Sequence, residues 1–173
     1  MSNLMVLANK IKEKFPEAVK DIIEFRGEVT VVVAPEAIVE VATFCRDDEE
    51  LQFNMLSALS GVDYYPDEPR FAVNYVMNSL PLNHTLRLKV YVSGDDPEIP
   101  TVTGVWAVAN WPEREVYDMF GVRFKGHYNM RRILLPHDWT GHPLRKDYPL
   151  GYEEVQFSFN YERVQSQKPH PRE

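Results

Sequence analysis

Between Phe71 and Val92 the chain alternates apolar and polar residues through two strand-length runs, broken at Pro81 to His84. Phe71, Val73, Tyr75 and Met77 share one side of the first run. Leu86, Leu88, Val90 and Val92 share one side of the second, against Arg87, Lys89 and Tyr91. A period of two sends successive side chains to opposite faces, so each run is a strand with one buried and one wet face. Joined by a short turn, the two form a hairpin. The chain is thereby committed to an antiparallel sheet, and its remaining elements must cover the apolar face.

Those elements are legible from spacing. Leu4, Leu7, Ile11 and Phe15 recur at steps of three or four, which predicts an amphipathic helix over 3–15, closed by Pro16. Asp21 to Phe25 and Glu28 to Ala34 are strand-like runs around an Arg26-Gly27 turn. Pro35 opens a second helix, to about Arg46, where its missing N–H costs nothing. Leu51 to Leu59 predicts a strand burying Leu51, Phe53, Met55 and Leu59. Tyr64 to Arg70 and the acidic Gly94 to Pro100 are loops, and Thr101 or Thr103 is placed to cap a short helix through Val108. Asn110 is a suitable N-cap for a helix over Trp111 to Phe120, with Pro112, Glu113 and Glu115 in its first turn and Gly121 as a left-handed stop. The fold class is therefore α+β: a two-layer sandwich with a mostly antiparallel sheet, helices on one face, and an extended C-terminal tail. Residues 1–150 form the domain. In the tail, 151–173, Val155, Phe157 and Phe159 alternate as a strand, which either pairs with another chain's sheet edge or folds back as this domain's own edge.

Composition excludes several function classes. With 173 residues and 44% hydrophobic content, one ordinary core is within reach. No apolar run approaches the about 20 residues of a membrane helix, and the N-terminus makes a poor signal peptide. A net charge of −7 argues against non-specific nucleic-acid binding. Charge is uneven, however. Asp47 to Glu50 and Asp95 to Glu98 are acidic, whereas Arg123, Lys125, Arg131 and Arg132 form a basic stretch that suggests a specific acidic partner. Cys45 is the only cysteine, so this chain forms no internal disulfide and cannot supply the four thiolates of an iron–sulfur cluster. Its spacing from Ile38, Val41 and Ala42 makes it a buried small hydrophobe.

Trp111 to Pro149 is the densest part of the chain, with three histidines, two tryptophans and interleaved acids and bases. His127, His137 and His142 have the residue type of a zinc site but none of its compact spacings, so a free metal-dependent hydrolase is the weaker alternative. Glu113, Glu115 and Asp118 have the chemistry of general acids and bases. Arg114, Arg131, Arg132 and Arg145 outnumber them, which favours an ion-pair lattice, part of it reaching a partner. There is no glycine-rich nucleotide loop and no nucleophile motif. Such a surface without a catalytic set, cofactor site or metal site points to a subunit or binding module.

Glu113-Arg114-Glu115, Asp118-Met119-Phe120-Gly121, Lys125-Gly126-His127, Arg131-Arg132-Ile133-Leu134-Leu135-Pro136, Asp138-Trp139 and Gly141-His142-Pro143-Leu144-Arg145-Lys146-Asp147-Tyr148-Pro149 occur in that order. This long composite resembles the 30 kDa or C subunit of respiratory complex I, the NADH:quinone oxidoreductase. The resemblance is strong over Asn110 to about Phe159. It departs at His127-Tyr128-Asn129-Met130, where the family often has His-Pro-x-Leu, and at His137, where an acid is common. It implies a cofactor-free, non-catalytic subunit of the peripheral arm, packed against the 49 kDa or D-type subunit that shapes the quinone cavity. NAD, FMN, iron–sulfur clusters and quinone are then expected in partner subunits. The expected location is the cytoplasmic side of a cell membrane, or the matrix side of an inner one, reached through the complex with no insertion of this chain. The residues implied at interfaces or in the signature are Glu113, Arg114, Glu115, Asp118, Gly121, His127, Arg131, Arg132, Pro136, Trp139, Pro143, Arg145, Lys146, Asp147, Val155, Phe157 and Phe159. A related subunit of membrane-bound nickel–iron hydrogenases is the alternative within the same family.

Overall fold

The computed structural model describes residues 3–149 and 157–167. Within them the chain runs α1 (Asn3–Lys14), β1 (Val19–Phe25), β2 (Glu28–Val33), α2 (Ile38–Asp47), β3 (Met55–Asp63), β4 (Phe71–Ser79), β5 (His84–Val92), β6 (Glu98–Pro100), α3 (Asn110–Phe120), β7 (Arg123–Lys125) and α4 (Tyr161–Gln167). Five strands form the main sheet in the order β1-β2-β5-β4-β3, and β6 and β7 form a small parallel pair. The β3-β4-β5 meander and the β1-β2 hairpin are antiparallel. They meet through one parallel pair, β2 with β5. The connection through α2 carries the chain from β2 to the far edge at β3, so the second unit returns to β2 in the parallel sense.

Core placement follows the alternation. Val73, Tyr75, Leu88 and Val90 line up across β4 and β5 and are fully buried. Leu7, Ala8 and Ile11 bring α1 onto this face, and Ile38, Val41 and Cys45 bring α2. Burial pushes the Cys45 thiol far above its usual range, in keeping with a packing role. Arg26 and Gly27 both take positive φ, as a two-residue hairpin turn matched to strand twist requires.

Four local expectations are corrected. First, the predicted strand from Leu51 begins only at Met55, because Gln52 takes a left-handed φ of 45° and Phe53 N–H bonds back to Cys45 O. Leu51 and Phe53 are buried ahead of the strand, whereas Met55 is exposed and Leu56 enters the core. A register shift between Leu56 and Ala58 then restores Leu59 to the inside. Second, the acidic loop ends in a strand: Glu98–Pro100 pairs with Arg123–Lys125. Third, Thr101 and Thr103 cap no helix. A single 3-10 turn, Ala107–Ala109, runs into α3, so Asn110 is helical and makes no side-chain cap. Fourth, the described part of the tail strand is absent: Phe157 precedes a turn leading into α4, and Val155 lies outside the described residues.

The C-terminal end of α3 lies on the edge strand β3. A Cβ on Gly61 would stand 2.7 Å from Phe120 and 3.2 Å from Val116, so the glycine sets how closely helix and strand approach. We expect Gly61→Val to lower stability by about 1–3 kcal/mol through overpacking, read from urea denaturation. Gly104→Ala, where an added Cβ meets nothing within 4 Å, should leave the midpoint unchanged.

Candidate functional site

Helix α3 ends in a left-handed Gly121 at φ 78°. Its last carbonyls have no partners within the helix. Tyr117 O accepts Gly121 N–H at 2.8 Å and Met119 O accepts Leu144 N–H at 3.1 Å. Asp118 O accepts from His142 Nδ1 at 3.0 Å, and Phe120 O from Arg145 Nε at 2.6 Å. The segment after β7 therefore wraps back to close the helix end, and it supplies donors and a guanidinium where the helix dipole is negative. Gly121 is required twice over: by its φ, and because a Cβ there would lie 2.6 Å from both Arg145 and His142.

The Asp118 side chain holds the start of this wrap. It is completely buried. Its Oδ2 accepts three consecutive backbone N–H groups, from Ile133 at 3.1 Å, Leu134 at 2.8 Å and Leu135 at 3.0 Å. Oδ1 takes Arg132 Nη1 at 2.7 Å, and Arg132 Nη2 continues to Gly141 O at 2.9 Å. Burial alone would raise the Asp118 pKa, but the backbone donors and Arg132 outweigh it and hold the carboxyl below the usual carboxylate range.

A second carboxylate anchors the end of the wrap. Asp63, the last residue of β3, is buried and receives Arg70 Nε at 3.0 Å and Nη2 at 2.9 Å in a fork. It also accepts the N–H groups of Tyr65 at 2.9 Å and Lys146 at 2.8 Å. Arg70 reaches on to Asp147, with Nη1 3.0 Å from Oδ2. The Arg70 and Arg145 guanidiniums both lie over Phe71, at 4.8 and 5.1 Å from the ring centre. Against the effect of burial, Arg70 and the two backbone donors bring the Asp63 pKa down to about 2. Asp63 and Arg70 lie outside the signature stretch. The only trace of them in the sequence is an acid at a strand end and a base after a Pro-rich loop.

Other expected residues separate. Glu113 is fully buried but pairs with no arginine: Oε2 accepts the Thr101 hydroxyl and Oε1 accepts Val102 N–H at 2.8 Å. Arg114 donates to the Arg131 and Arg132 carbonyls and lies 5.1 Å over Trp111. Within the chain the predicted lattice is sparser than expected: arginine mostly meets backbone carbonyl, and Asp118–Arg132 is the acid–base pair formed among the residues named for it. The basic stretch is also partly neutralised from within, because Arg123 lies 2.7 Å from Asp96 and Lys125 3.9 Å from Glu98. The histidines do not converge. His127 takes Asn129 N–H on Nδ1 at 3.0 Å and faces Asn110 O through Nε2, His142 faces Asp118 O, and His137 is exposed. Among the described residues no three His, Cys, Asp or Glu side chains gather as a metal site, and none of the helices could cross a membrane.

What faces outward is apolar and aromatic. Trp111, Tyr128, Leu134 and Leu144 are all more than half exposed. Glu115, Arg131, Pro136 and Lys146 are exposed as well, whereas Trp139 and Pro143 are half-buried. Phe157 and Phe159 stack 5.3 Å apart and are exposed.

An α+β domain whose C-terminal segment is pinned down by buried carboxylates, leaving apolar side chains outside, has the form of an assembly subunit. Residues 31–154 match the family model for the respiratory-chain NADH dehydrogenase 30 kDa subunit, and the chain belongs to that family. A relative from Roseiflexus sp. (strain RS-1), named as the C subunit of NADH-quinone oxidoreductase, is 49% identical over 173 residues, all of this chain and 99% of the relative. One of the same name from Geobacter sulfurreducens is 52% identical over 142 residues, 82% of this chain and 86% of the relative. The solved trypsin-resistant fragment (1-134) of Nqo5 superposes with a TM-score of 0.61 at 36% identity, over 73% of this chain and 98% of the fragment. A chain of the archaeal membrane-bound sulfane sulfur reductase shares the fold, with a TM-score of 0.72 at 20% identity, over 99% of this chain and 97% of that one.

Both anchors are open to test. Asp118→Asn leaves Arg132 without its anion, a loss of about 3–5 kcal/mol locally. Trypsin should then cut at Arg131 or Arg132 while amide exchange in β4 and β5 stays slow. Asp63 has a folded pKa below its unfolded one, so its contribution is full above about pH 4 and is lost as pH falls towards about 2. Acid titration of the urea midpoint should show this loss of about 2 kcal/mol, and Asp63→Asn should flatten it.

Proposed function

We propose that this chain is a cofactor-free, non-catalytic subunit of the peripheral arm of a proton-translocating NADH:quinone oxidoreductase. Its role is to scaffold the 49 kDa or D-type subunit beside the quinone site, on the cytoplasmic or matrix side of the membrane. NAD, FMN, iron–sulfur clusters and quinone belong to its partners. The observation that carries this proposal is the division of labour along the signature. Asp118, Arg132 and Arg145 are turned inward onto α3 and the segment that wraps it, while Trp111, Tyr128, Leu134 and Leu144 are turned out. Exposed apolar and aromatic side chains on a rigid frame suit a permanent interface, whose centre is apolar and whose rim is polar. Arg131 and Lys146, exposed and close in sequence to Leu134 and Leu144, supply polar groups for that rim.

Two variants separate frame from surface. Leu134→Asp should leave the urea midpoint of the full chain within about 0.5 kcal/mol of the parent yet abolish co-purification of the D-type subunit from gently solubilised membranes. Arg145→Ala removes the bond to Phe120 O and should cost about 1.5–3 kcal/mol of stability, together with assembly and quinone reductase activity. Normal assembly of the Leu134 variant would refute the interface. Recovery of a nickel-bearing partner by the parent chain would move it to the hydrogenase branch.

A further inference from the structure

Among the described residues Glu113 is the buried carboxyl left without a cation. Asp63 and Asp118 are each paired with an arginine, but the groups around Glu113 are Thr101, Val102 N–H and His127, whose Nε2 stands 3.9 Å from Oε2. The His127 ring is neutral: Nδ1 accepts Asn129 N–H, Nε2 faces Asn110 O, and burial first, then Arg114, lowers its pKa. Arg114, one residue along α3, is engaged with the Arg131 and Arg132 carbonyls, and Lys125 on β7 lies towards Glu98. From β4 comes Tyr75, fully buried, its hydroxyl without a hydrogen-bond partner and its own ionisation opposed by burial and by the Glu113 charge. An isolated anion in such a place is strongly disfavoured.

The carboxyl is nevertheless linked to the surface. Thr101 Oγ1 lies 2.5 Å from Glu113 Oε2 and 2.9 Å from Thr103 Oγ1, and Thr103 is half-buried at the protein boundary. Two hydrogen-bond patterns satisfy this row. With the carboxyl protonated, Glu113 donates to Thr101 and Thr101 to Thr103. With it ionised, Thr103 donates to Thr101 and Thr101 to Glu113. Each hydroxyl keeps one donor and its acceptor capacity in both patterns, so reversing the row hands the Glu113 proton to Thr101, the Thr101 proton to Thr103 and the Thr103 proton to solvent water, and uptake runs the other way.

We propose that Glu113 is a proton-binding site built into the seam between α3 and the β6–β7 pair, filled through Thr103 and Thr101, and that its deprotonation loosens that seam. Burial, the largest influence, moves the carboxyl up to about 7, against the opposing effects of Thr101 and Val102 N–H. Because the folded pKa lies above the unfolded value of 4.5, stability is full below the latter and is lost as pH rises through the former.

The test is a carbon-13 NMR titration of the glutamate side-chain carboxyls in the intact chain, with urea unfolding measured across the same range. One carboxyl, absent from Glu113→Gln, should titrate near neutrality. The unfolding constant should rise by up to about tenfold per pH unit between the two pKa values, and Glu113→Gln should lose this slope. Thr101→Val should raise the midpoint further, since the ionised form loses its hydroxyl donor. A Glu113 titrating with the surface glutamates overturns the site, and this needs no variant to fold. An unchanged slope in Glu113→Gln overturns the loosening, and an unmoved midpoint in Thr101→Val overturns the hydroxyl row.

Discussion

The structure beyond the sheet depends on the Asp118 carboxylate. One oxygen gathers the N–H groups of Ile133, Leu134 and Leu135, and the other holds Arg132. A segment with almost no regular secondary structure has few backbone partners of its own. A buried anion supplies them from one point, and charge-assisted bonds to it are stronger than neutral ones. The same residue's carbonyl then accepts from His142. Two stretches separated by a loop are thus tied to a single helical position. Without that anion the exposed Leu134 would have no defined place, and neither would the surface to which it belongs.

Among the described residues three buried carboxyls receive three treatments. Asp118 is stabilised mainly by backbone N–H groups, Asp63 mainly by the Arg70 fork, and Glu113 by one hydroxyl and one N–H with no cation. Their pKa values diverge accordingly, two downward and one upward. The downward pair clamps the wrapped segment to α3 and to the end of β3 at any pH above the acid range. The upward one sits at the other end of α3, where the helix meets the small parallel pair. One helix is therefore held rigidly at its C-terminal end and is charge-sensitive near its N-terminal end.

The frame accounts for part of what makes the signature so dense, since Asp118, Arg132, His142 and Arg145 all serve to hold the wrapped segment on α3. Asp118, Arg132 and Arg145 use their charge inside the molecule, on helix closure and loop geometry. Within the chain, arginine therefore meets carbonyl more often than carboxylate: a charged side chain beside unsatisfied helix carbonyls finds a good acceptor there without needing an acid.

Periodicity determined the β4–β5 hairpin, the amphipathic α1 and the burial of Cys45, and first-turn and stop residues determined the helix that ends at Gly121. In each, the signal and the cause are local, a repeat of two or of 3.6 or a single left-handed residue. The composite motif likewise carried the family. Tertiary structure decided what depends on residues far apart in the chain. It placed β2 parallel to β5, began β3 at Met55 behind a left-handed Gln52, joined Arg70 to both Asp63 and Asp147, and left Glu113 facing Thr101 instead of an arginine. Which donor reaches a buried carboxylate is set by how elements dock, and spacing along the chain carries no record of docking.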